Sequence, residues 1–159
     1  MKQDKVREIV NEIAPAFHLE TNFVMAIIEQ ESSFREDSLR FELGFMRKYL
    51  SKFDLLLTQK ILLSTSYGLM QVMGQSLNEM GYFGTITKEN NNDLVKELEH
   101  FMSTPKVQIK CGCEWYVRKL RIANGDTHTA LQYWNGGGNK NYADEVLLKY
   151  ETINKSSFL

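Results

Sequence analysis

Apolar side chains recur at helical spacing along nearly the whole chain, and this pattern excludes most other folds. Clear examples near the start and in the second half are Val6, Ile9, Val10 and Ile13, and Ile109, Cys113, Tyr116, Val117 and Leu120. Strict alternation of apolar and polar residues, which marks strands, is nearly absent, and no segment repeats. We therefore predict an all-α (mainly α) protein.

The length of 159 residues fits one domain with one core, so we assign residues 1–159 to a single domain. A net charge of -1 argues against nucleic acid as a partner, because binding phosphates requires clustered Lys and Arg. The longest apolar run, 23–28, is far shorter than the roughly 20 residues that span a bilayer. The first residues lack the apolar region of a secretory signal, so we expect no signal peptide.

Turn and capping residues divide the chain into predicted helices. Asp4, Asp93 and Asp126 are predicted N-caps, and Pro15, Gly81 and the pair Asn124-Gly125 are predicted helix ends. The expected helices are a buried one at 22–31, one or two at 40–63, one at 69–80, and a last one beginning at Tyr142 after the glycines of 136–138. The stretch 82–92 is predicted to be a loop.

Glu31 interrupts the apolar face of the buried helix at 22–31. Apolar residues stand three, four and seven positions before it, so its carboxyl group shares the stripe by which the helix is buried. Burial and the negative end of the helix dipole both raise a carboxyl pKa, and an acid protonated near neutral pH can protonate a glycosidic oxygen. Spacing alone leaves alternatives open: Glu31 faces solvent or pairs with Arg35, or Glu29 is the functional acid.

Other chemistries have weaker support. The three histidines stand far apart, and the Cys111-Gly-Cys113 pair lacks a second pair, so we predict no metal and no cofactor. On one helix the two cysteines diverge, so we expect no disulfide between them. The glycine run at 136–138 is not followed by Lys-Ser/Thr and is not a P-loop.

Three segments resemble, in the same order, the motifs of soluble lytic transglycosylases and the related goose-type lysozymes. Residues 26–34, Ala-Ile-Ile-Glu-Gln-Glu-Ser-Ser-Phe, resemble the sequence around that family's catalytic Glu. Residues 66–73, Ser-Tyr-Gly-Leu-Met-Gln-Val-Met, resemble the second motif. The third motif is similar to Trp-Asn-Gly-Gly at 134–137 followed by Tyr-Ala-Asp-Glu-Val at 142–146.

The resemblance implies a lysozyme-like fold with a substrate cleft and a role for each matched residue. It implies Glu31, in preference to Glu29, as the general acid and base. The predicted substrate-binding residues are Gln71, Met73, Tyr133, Trp134, Asn135 and Tyr142, the last also placed near the carboxyl group. From spacing alone, Met73 fits core packing, and Asn135 with the following glycines fits a helix C-cap.

Two departures from the family pattern stand out. Trp134 replaces the usual Tyr, which keeps an aromatic face and removes a hydroxyl. The distance from Glu31 to Gly68 is longer than in short members, and the additional segment, which we take as a helical insertion at 40–63, resembles the form found in bacteriophage wall-degrading proteins. With no signal peptide expected, this implies action at the bacterial wall, in the periplasm, after delivery by a virion or another system.

The resemblance implies a reaction that needs one carboxyl group. In that family the Glu protonates the leaving oxygen and then deprotonates the substrate's own 6-hydroxyl, which closes a 1,6-anhydro ring. A tethered nucleophile has a high effective molarity and removes the need for an activated water. The implied partner is the peptidoglycan glycan strand, cut between N-acetylmuramic acid and N-acetylglucosamine.

The alternatives are of three kinds. A hydrolytic muramidase would use water and a second carboxylate, for which Glu42 is the candidate and Asp37 a weaker one, although charged residues in such segments usually form a solvated face. A glycan-binding module would keep the cleft and lack turnover. A purely structural helical domain would make the three motifs incidental.

Overall fold

The computed structural model describes residues 1–156, and in these residues nine α-helices surround one hydrophobic core. The helices are α1 (Gln3–Ile13), α2 (Thr21–Ser32), α3 (Leu43–Phe45), α4 (Leu57–Leu63), α5 (Gly74–Glu79), α6 (Asn91–Ser103), α7 (Pro105–Ile122), α8 (Thr127–Asn135) and α9 (Tyr142–Ser156). Short 3-10 helices occupy Ala14–Phe17 and Lys88–Asn90, and a π-helix occupies Met46–Leu50. The strands are β1 (Leu39–Phe41), β2 (Thr65–Tyr67) and β3 (Val72–Met73). The predicted mainly α fold is confirmed.

The centre of the core is α2, in which the six residues 23–28 are all buried. A helix that is apolar around its whole circumference must be enclosed by other elements. Here α1 and α9 pack against it, and α7 packs in turn against α1 and α8. This enclosure brings the C-terminal end of α2 close to the ends of α8 and α9.

Three short strands between residues 39 and 73, which no alternation of apolar and polar residues indicated, pair antiparallel in the order β1-β2-β3. The helix predicted at 69–80 is correspondingly wrong in its first half, and only α5 is helical. Gly68 and Gln71 have φ angles of 72° and 48°, which an α-helix does not accommodate. The apolar residues between them are buried in a hairpin turn. Their helical spacing therefore reflects burial in this turn and not a helix. Gly81 ends this region with the predicted left-handed φ, 77°.

The segment 40–63, predicted to be a helical insertion, is less helical than predicted. It begins with most of β1, continues through the three-residue α3 and the π-helix, and reaches a regular helix only at α4. Phe41, Tyr49 and Phe53, which contributed to the helical pattern, are exposed. Their spacing therefore did not mark a buried helix face.

The predicted helix starts are right in one case of three. Asp126 caps α8, because its side chain accepts a hydrogen bond of 2.7 Å from the backbone N–H of Thr129. Asp4 and Asp93 were wrongly predicted as N-caps and lie inside the first turns of α1 and α6. A carboxylate in the first turn is still favoured by the helix dipole, which explains their positions. The predicted loop at 82–92 contains the 3-10 helix and the start of α6.

Gln108 of α7 fixes the hairpin turn that carries the second motif. Its side chain is fully buried, and its Oε1 accepts a hydrogen bond of 2.8 Å from the backbone N–H of Leu69. Its Nε2 donates to the carbonyls of Met102 at 3.0 Å and Glu36 at 3.2 Å. A buried amide with all of its bonds made stabilises a single arrangement of the segments around it.

Gly112 allows α7 to approach the same turn closely, and we expect Gly112→Ala to destabilise the protein by about 1–3 kcal/mol. A Cβ at this position would lie 2.2 Å from Sδ and 2.8 Å from Cβ of Met70. Helix propensity alone would favour Ala by about 1 kcal/mol, so the sign of the effect tests the contact. Urea unfolding measures it, with Gly44→Ala as the control, because a Cβ there meets nothing within 4 Å. An unchanged or increased free energy of unfolding for Gly112→Ala would contradict the close approach.

Two further predictions concern the cysteine pair and membrane-spanning helices. Cys111 and Cys113 are both free and buried in α7, and burial raises their thiol pKa values to about 11 and about 12. Within residues 1–156 no helix has both the length and the apolar character needed to cross a membrane.

Candidate active site

A cleft of about 680 Å³ runs between the hairpin turn, α5, α7 and the ends of α2 and α8. Most of the residues predicted from the sequence line it. They are Glu31, Gln71, Met73, Tyr133, Trp134 and Asn135, together with the candidate second carboxylate Glu42. Segments that are distant in sequence therefore meet at one concave surface.

Glu31 is held by two hydrogen-bond donors that reach the same oxygen. The indole N–H of Trp134 donates to Oε1 at 2.7 Å, and the hydroxyl of Tyr142 donates to Oε1 at 2.5 Å. No hydrogen bond from residues 1–156 reaches Oε2. One oxygen of the carboxyl group is thus fixed, while the other is left for a molecule in the cleft.

Three helix ends position this group. Glu31 lies in the last turn of α2, which Ser33 terminates with a left-handed φ of 50°. Trp134 lies in the last turn of α8, which Gly136 terminates with a φ of 69°. Tyr142 is the first residue of α9. Their convergence depends on the packing of α9 against both α2 and α8.

Burial raises the pKa of Glu31, as the apolar stripe of α2 predicted. The hydrogen bonds from Tyr142 and Trp134 and the positive charge of Arg40 act in the opposite direction, because they stabilise the carboxylate. The net direction is upward, so burial dominates. Burial and the nearby carboxyl group also raise the pKa of Tyr142, which keeps its hydroxyl a hydrogen-bond donor.

The alternatives to Glu31 are placed elsewhere. The carboxylate of Glu29 accepts a hydrogen bond of 2.9 Å from Lys149 Nζ and does not line the cleft. Arg35 is exposed, and the donors to Glu31 are Trp134 and Tyr142. The structure therefore separates two acids that periodicity separated only in part.

Gln71 and Met73 form the wall contributed by the hairpin. The Gln71 side chain is largely buried, and its Nε2 donates to the carbonyls of Ser38 and Gly68, both at 3.0 Å. Its left-handed backbone turns the chain so that the following strand enters the cleft wall. Met73 is half-buried at the cleft surface, so the core-packing alternative describes only part of its environment.

The third motif provides both surface and support. Tyr133 is exposed on the cleft, and Asn135 Nδ2 donates to the carbonyl of Asn139 at 3.2 Å. The following residue, Gly136, is the C-cap of α8, as the alternative assignment of this motif expected. Tyr142 is only 4% exposed and does not line the cleft, so it lies behind the carboxyl group. Of the two roles predicted for Tyr142, this position fits support of Glu31 and not contact with substrate.

Glu42 lies on the cleft in an ion pair with Arg40, with Arg40 Nε 2.6 Å from Oε1 of Glu42.

The sequence analysis identified Glu42 as a candidate and did not identify several other residues of the cleft. These are Phe45, Ser66, Gln75, Ser76, Glu79, Trp115, Lys119 and Asn139. One of them had a usable signal, since Trp115 departs from the apolar face of α7 and an aromatic there suggests a binding surface. Among residues 1–156, no cluster of His, Cys, Asp and Glu has the arrangement of a metal site.

Comparison with known families gives one match. The profile described as the transglycosylase SLT domain matches residues 8–145, a stretch that includes α2, the hairpin, α8 and the start of α9. Comparisons with curated proteins and with solved structures gave no match.

Proposed function

Since the chain belongs to the transglycosylase SLT domain family, we propose that it cleaves the β-1,4 bond between N-acetylmuramic acid and N-acetylglucosamine and leaves a 1,6-anhydro end. Family membership makes it a transglycosylase of peptidoglycan. The finer proposal is supported by one observation above all. The buried carboxyl group of Glu31 lies on a cleft, with Oε1 bound by two donors and Oε2 unbound by any of residues 1–156.

The first step that we propose is proton donation by Glu31. Its raised pKa keeps the carboxyl group protonated closer to neutral pH than an exposed Glu. Because Oε1 already accepts two hydrogen bonds, the proton is placed on Oε2. It passes to the glycosidic oxygen as the bond from that oxygen to C1 of N-acetylmuramic acid breaks, and the bonding electrons stay with the leaving oxygen.

The second step uses the same group as a base. The carboxylate now present takes the proton of the 6-hydroxyl, and O6 bonds to C1 to close the anhydro ring. The donors from Trp134 and Tyr142 stabilise the negative charge between the two steps. Glu31 ends the cycle protonated, so one carboxyl group suffices and no water is consumed.

The remaining cleft residues are proposed as substrate contacts. Tyr133 and the ring of Trp134 offer aromatic faces to sugar rings, and Gln71, Met73 and Asn135 line the same cleft. Tyr142 is proposed to act through Glu31, because it is buried behind the carboxyl group. These assignments follow the positions of the side chains on the cleft.

A hydrolytic muramidase is the second candidate, and the position of Glu42 on the same cleft as Glu31 favours keeping it. In that mechanism Glu42 would activate a water. Its ion pair with Arg40 argues against this role, since Oε1 of Glu42 already accepts a hydrogen bond from the guanidinium and would have to leave it to activate a water.

The product mass distinguishes the two reactions. We expect purified peptidoglycan to release saccharides that are one water lighter than the hydrolysis products of the same bond, with no incorporation of oxygen from labelled water. Mass spectrometry of the soluble products measures both. Products carrying labelled oxygen at the new end, together with a loss in Glu42→Gln as large as that in Glu31→Gln, would contradict the lytic mechanism.

The route to the wall is a further proposal. The resemblance of segment 40–63 to phage wall-degrading proteins supports delivery to the periplasm by a virion. Delivery by another system is the alternative. This part of the proposal is independent of the chemistry at Glu31.

A further inference from the structure

A second cavity of about 480 Å³ adjoins the cleft, and we name it the side cavity. Its lining consists of Lys119, Ile122, Gln132, Tyr133, Gly136 and Gly137. Lys119, Tyr133 and Gly136 also line the cleft, so the two spaces share one wall. The side cavity therefore lies directly beside any ligand bound in this part of the cleft.

The positive charge of Lys119, where the cleft meets the side cavity, has no carboxylate within ion-pair distance among residues 1–156. Lys119 Nζ lies 4.2 Å from the centroid of the Trp115 ring and forms no salt bridge. The other cation of the cleft, Arg40, is paired with Glu42 at 2.6 Å. Partial burial lowers the pKa of Lys119, with Glu79 acting in the opposite direction. An anion arriving beside Lys119 would gain a charge-assisted hydrogen bond without displacing an existing partner.

Apart from Lys119, the side cavity is lined by two large side chains, Ile122 and Tyr133, by the amide of Gln132 and by two glycines. Ile122 is 64% exposed and Tyr133 is 47% exposed, although both are large apolar side chains. The amide nitrogen of Gln132 already donates to the carbonyl of Lys140 at 2.8 Å. The cavity therefore combines one available cation with apolar surface, a combination that is complementary to a short acidic peptide.

We propose that the side cavity binds the anionic peptide stem carried by N-acetylmuramic acid, with Lys119 pairing with a stem carboxylate. This inference rests on the proposed function, because the stem reaches the cavity only when its sugar lies in the cleft. Lys119 then gives the enzyme a preference for glycan strands that carry peptide stems over strands from which the stems have been removed.

The test compares Lys119→Met with the wild type on two substrates, soluble glycan strands with intact stems and the same strands after an amidase has removed the stems. We expect KM for stem-bearing strands to rise about tenfold, with kcat changed less than twofold. The rise should be clearly smaller for stripped strands. Lys119→Arg should retain most of the preference, and Arg121→Met, an exposed charge on the same helix outside both cavities, serves as the control.

Three outcomes would overturn the inference. An equal rise of KM on both substrates would make Lys119 a general glycan contact. A larger rise on stripped strands would assign it to the lactyl carboxylate that the amidase exposes. No rise on either substrate would leave the cavity without a role in binding. If the wild type releases no anhydro product from either substrate, the proposed function itself fails, and this result is distinct from the other three.

Discussion

Glu31→Gln is expected to lower the rate of anhydro product formation by about 10³- to 10⁴-fold. The amide keeps the shape of the side chain and can still accept hydrogen bonds at Oε1 from Trp134 and Tyr142. It can neither donate a proton to the glycosidic oxygen nor take one from the 6-hydroxyl. Because one group serves both steps, no second carboxyl group compensates for its loss.

The stability of this variant separates a chemical role from a structural one. Burial gives Glu31 a higher pKa in the folded protein than in the unfolded chain, so its contribution to stability is present at low pH and is lost as the pH rises through the folded pKa. Gln has no charge to bury. We therefore expect the melting temperature of Glu31→Gln at neutral pH to be no lower than that of the wild type.

Glu29→Gln is the matched control for these measurements. It removes a carboxylate two residues away that pairs with Lys149 and does not line the cleft. Activity within about twofold of the wild type is expected, since the loss of a partly exposed ion pair has a small effect. Substantial cleavage by Glu31→Gln, or an equal loss in Glu29→Gln, would remove the basis of the proposed mechanism.

Features of the structure that are set by residues close together in the sequence could be predicted, and features set by residues far apart could not. The apolar face of α2 and the placement of Glu31 on it follow from side chains within ten residues of one another, and the structure agrees. The three strands contain only two or three residues each, and β1 pairs with β2 across the whole segment 42–64, so periodicity carried little information about them. The resemblance identified the hairpin motif, whereas the left-handed backbone at Gln71 appeared only in the structure.

The contacts of Glu31 illustrate the same limit. Trp134 is 103 residues away from it, and no local rule predicts that its indole N–H would point at the carboxyl group. The sequence showed only that a Tyr hydroxyl is missing at this position. In the structure the indole N–H is itself a donor, so Trp134 provides both an aromatic face and a hydrogen bond to the acid. The cleft residues from α5 and α7 were missed for the same reason, because they meet Glu31 only through tertiary packing.

Removing one donor from Oε1 is expected to change both the rate and its pH dependence. In Tyr142→Phe the carboxyl group loses the hydrogen bond of 2.5 Å that orients it, and we expect kcat to fall about 10- to 100-fold, the usual range for a hydrogen bond to a charged group. The Tyr142 hydroxyl also lowers the pKa of Glu31 by stabilising its carboxylate. Its removal should therefore raise that pKa further.

The direction of the pH shift follows from the role of Glu31 as an acid. Activity falls at high pH as Glu31 loses its proton, so a higher pKa moves this fall to higher pH in Tyr142→Phe, and Trp134→Phe should move it the same way. The profile of kcat/KM against pH measures the shift. Tyr150→Phe is the control, because that hydroxyl donates to Glu20 and does not contact Glu31. A lower rate with an unchanged pH profile would mean that Tyr142 only supports the fold. A shift that both donor variants share and the control lacks would show that the group whose titration limits activity is the one that accepts these hydrogen bonds.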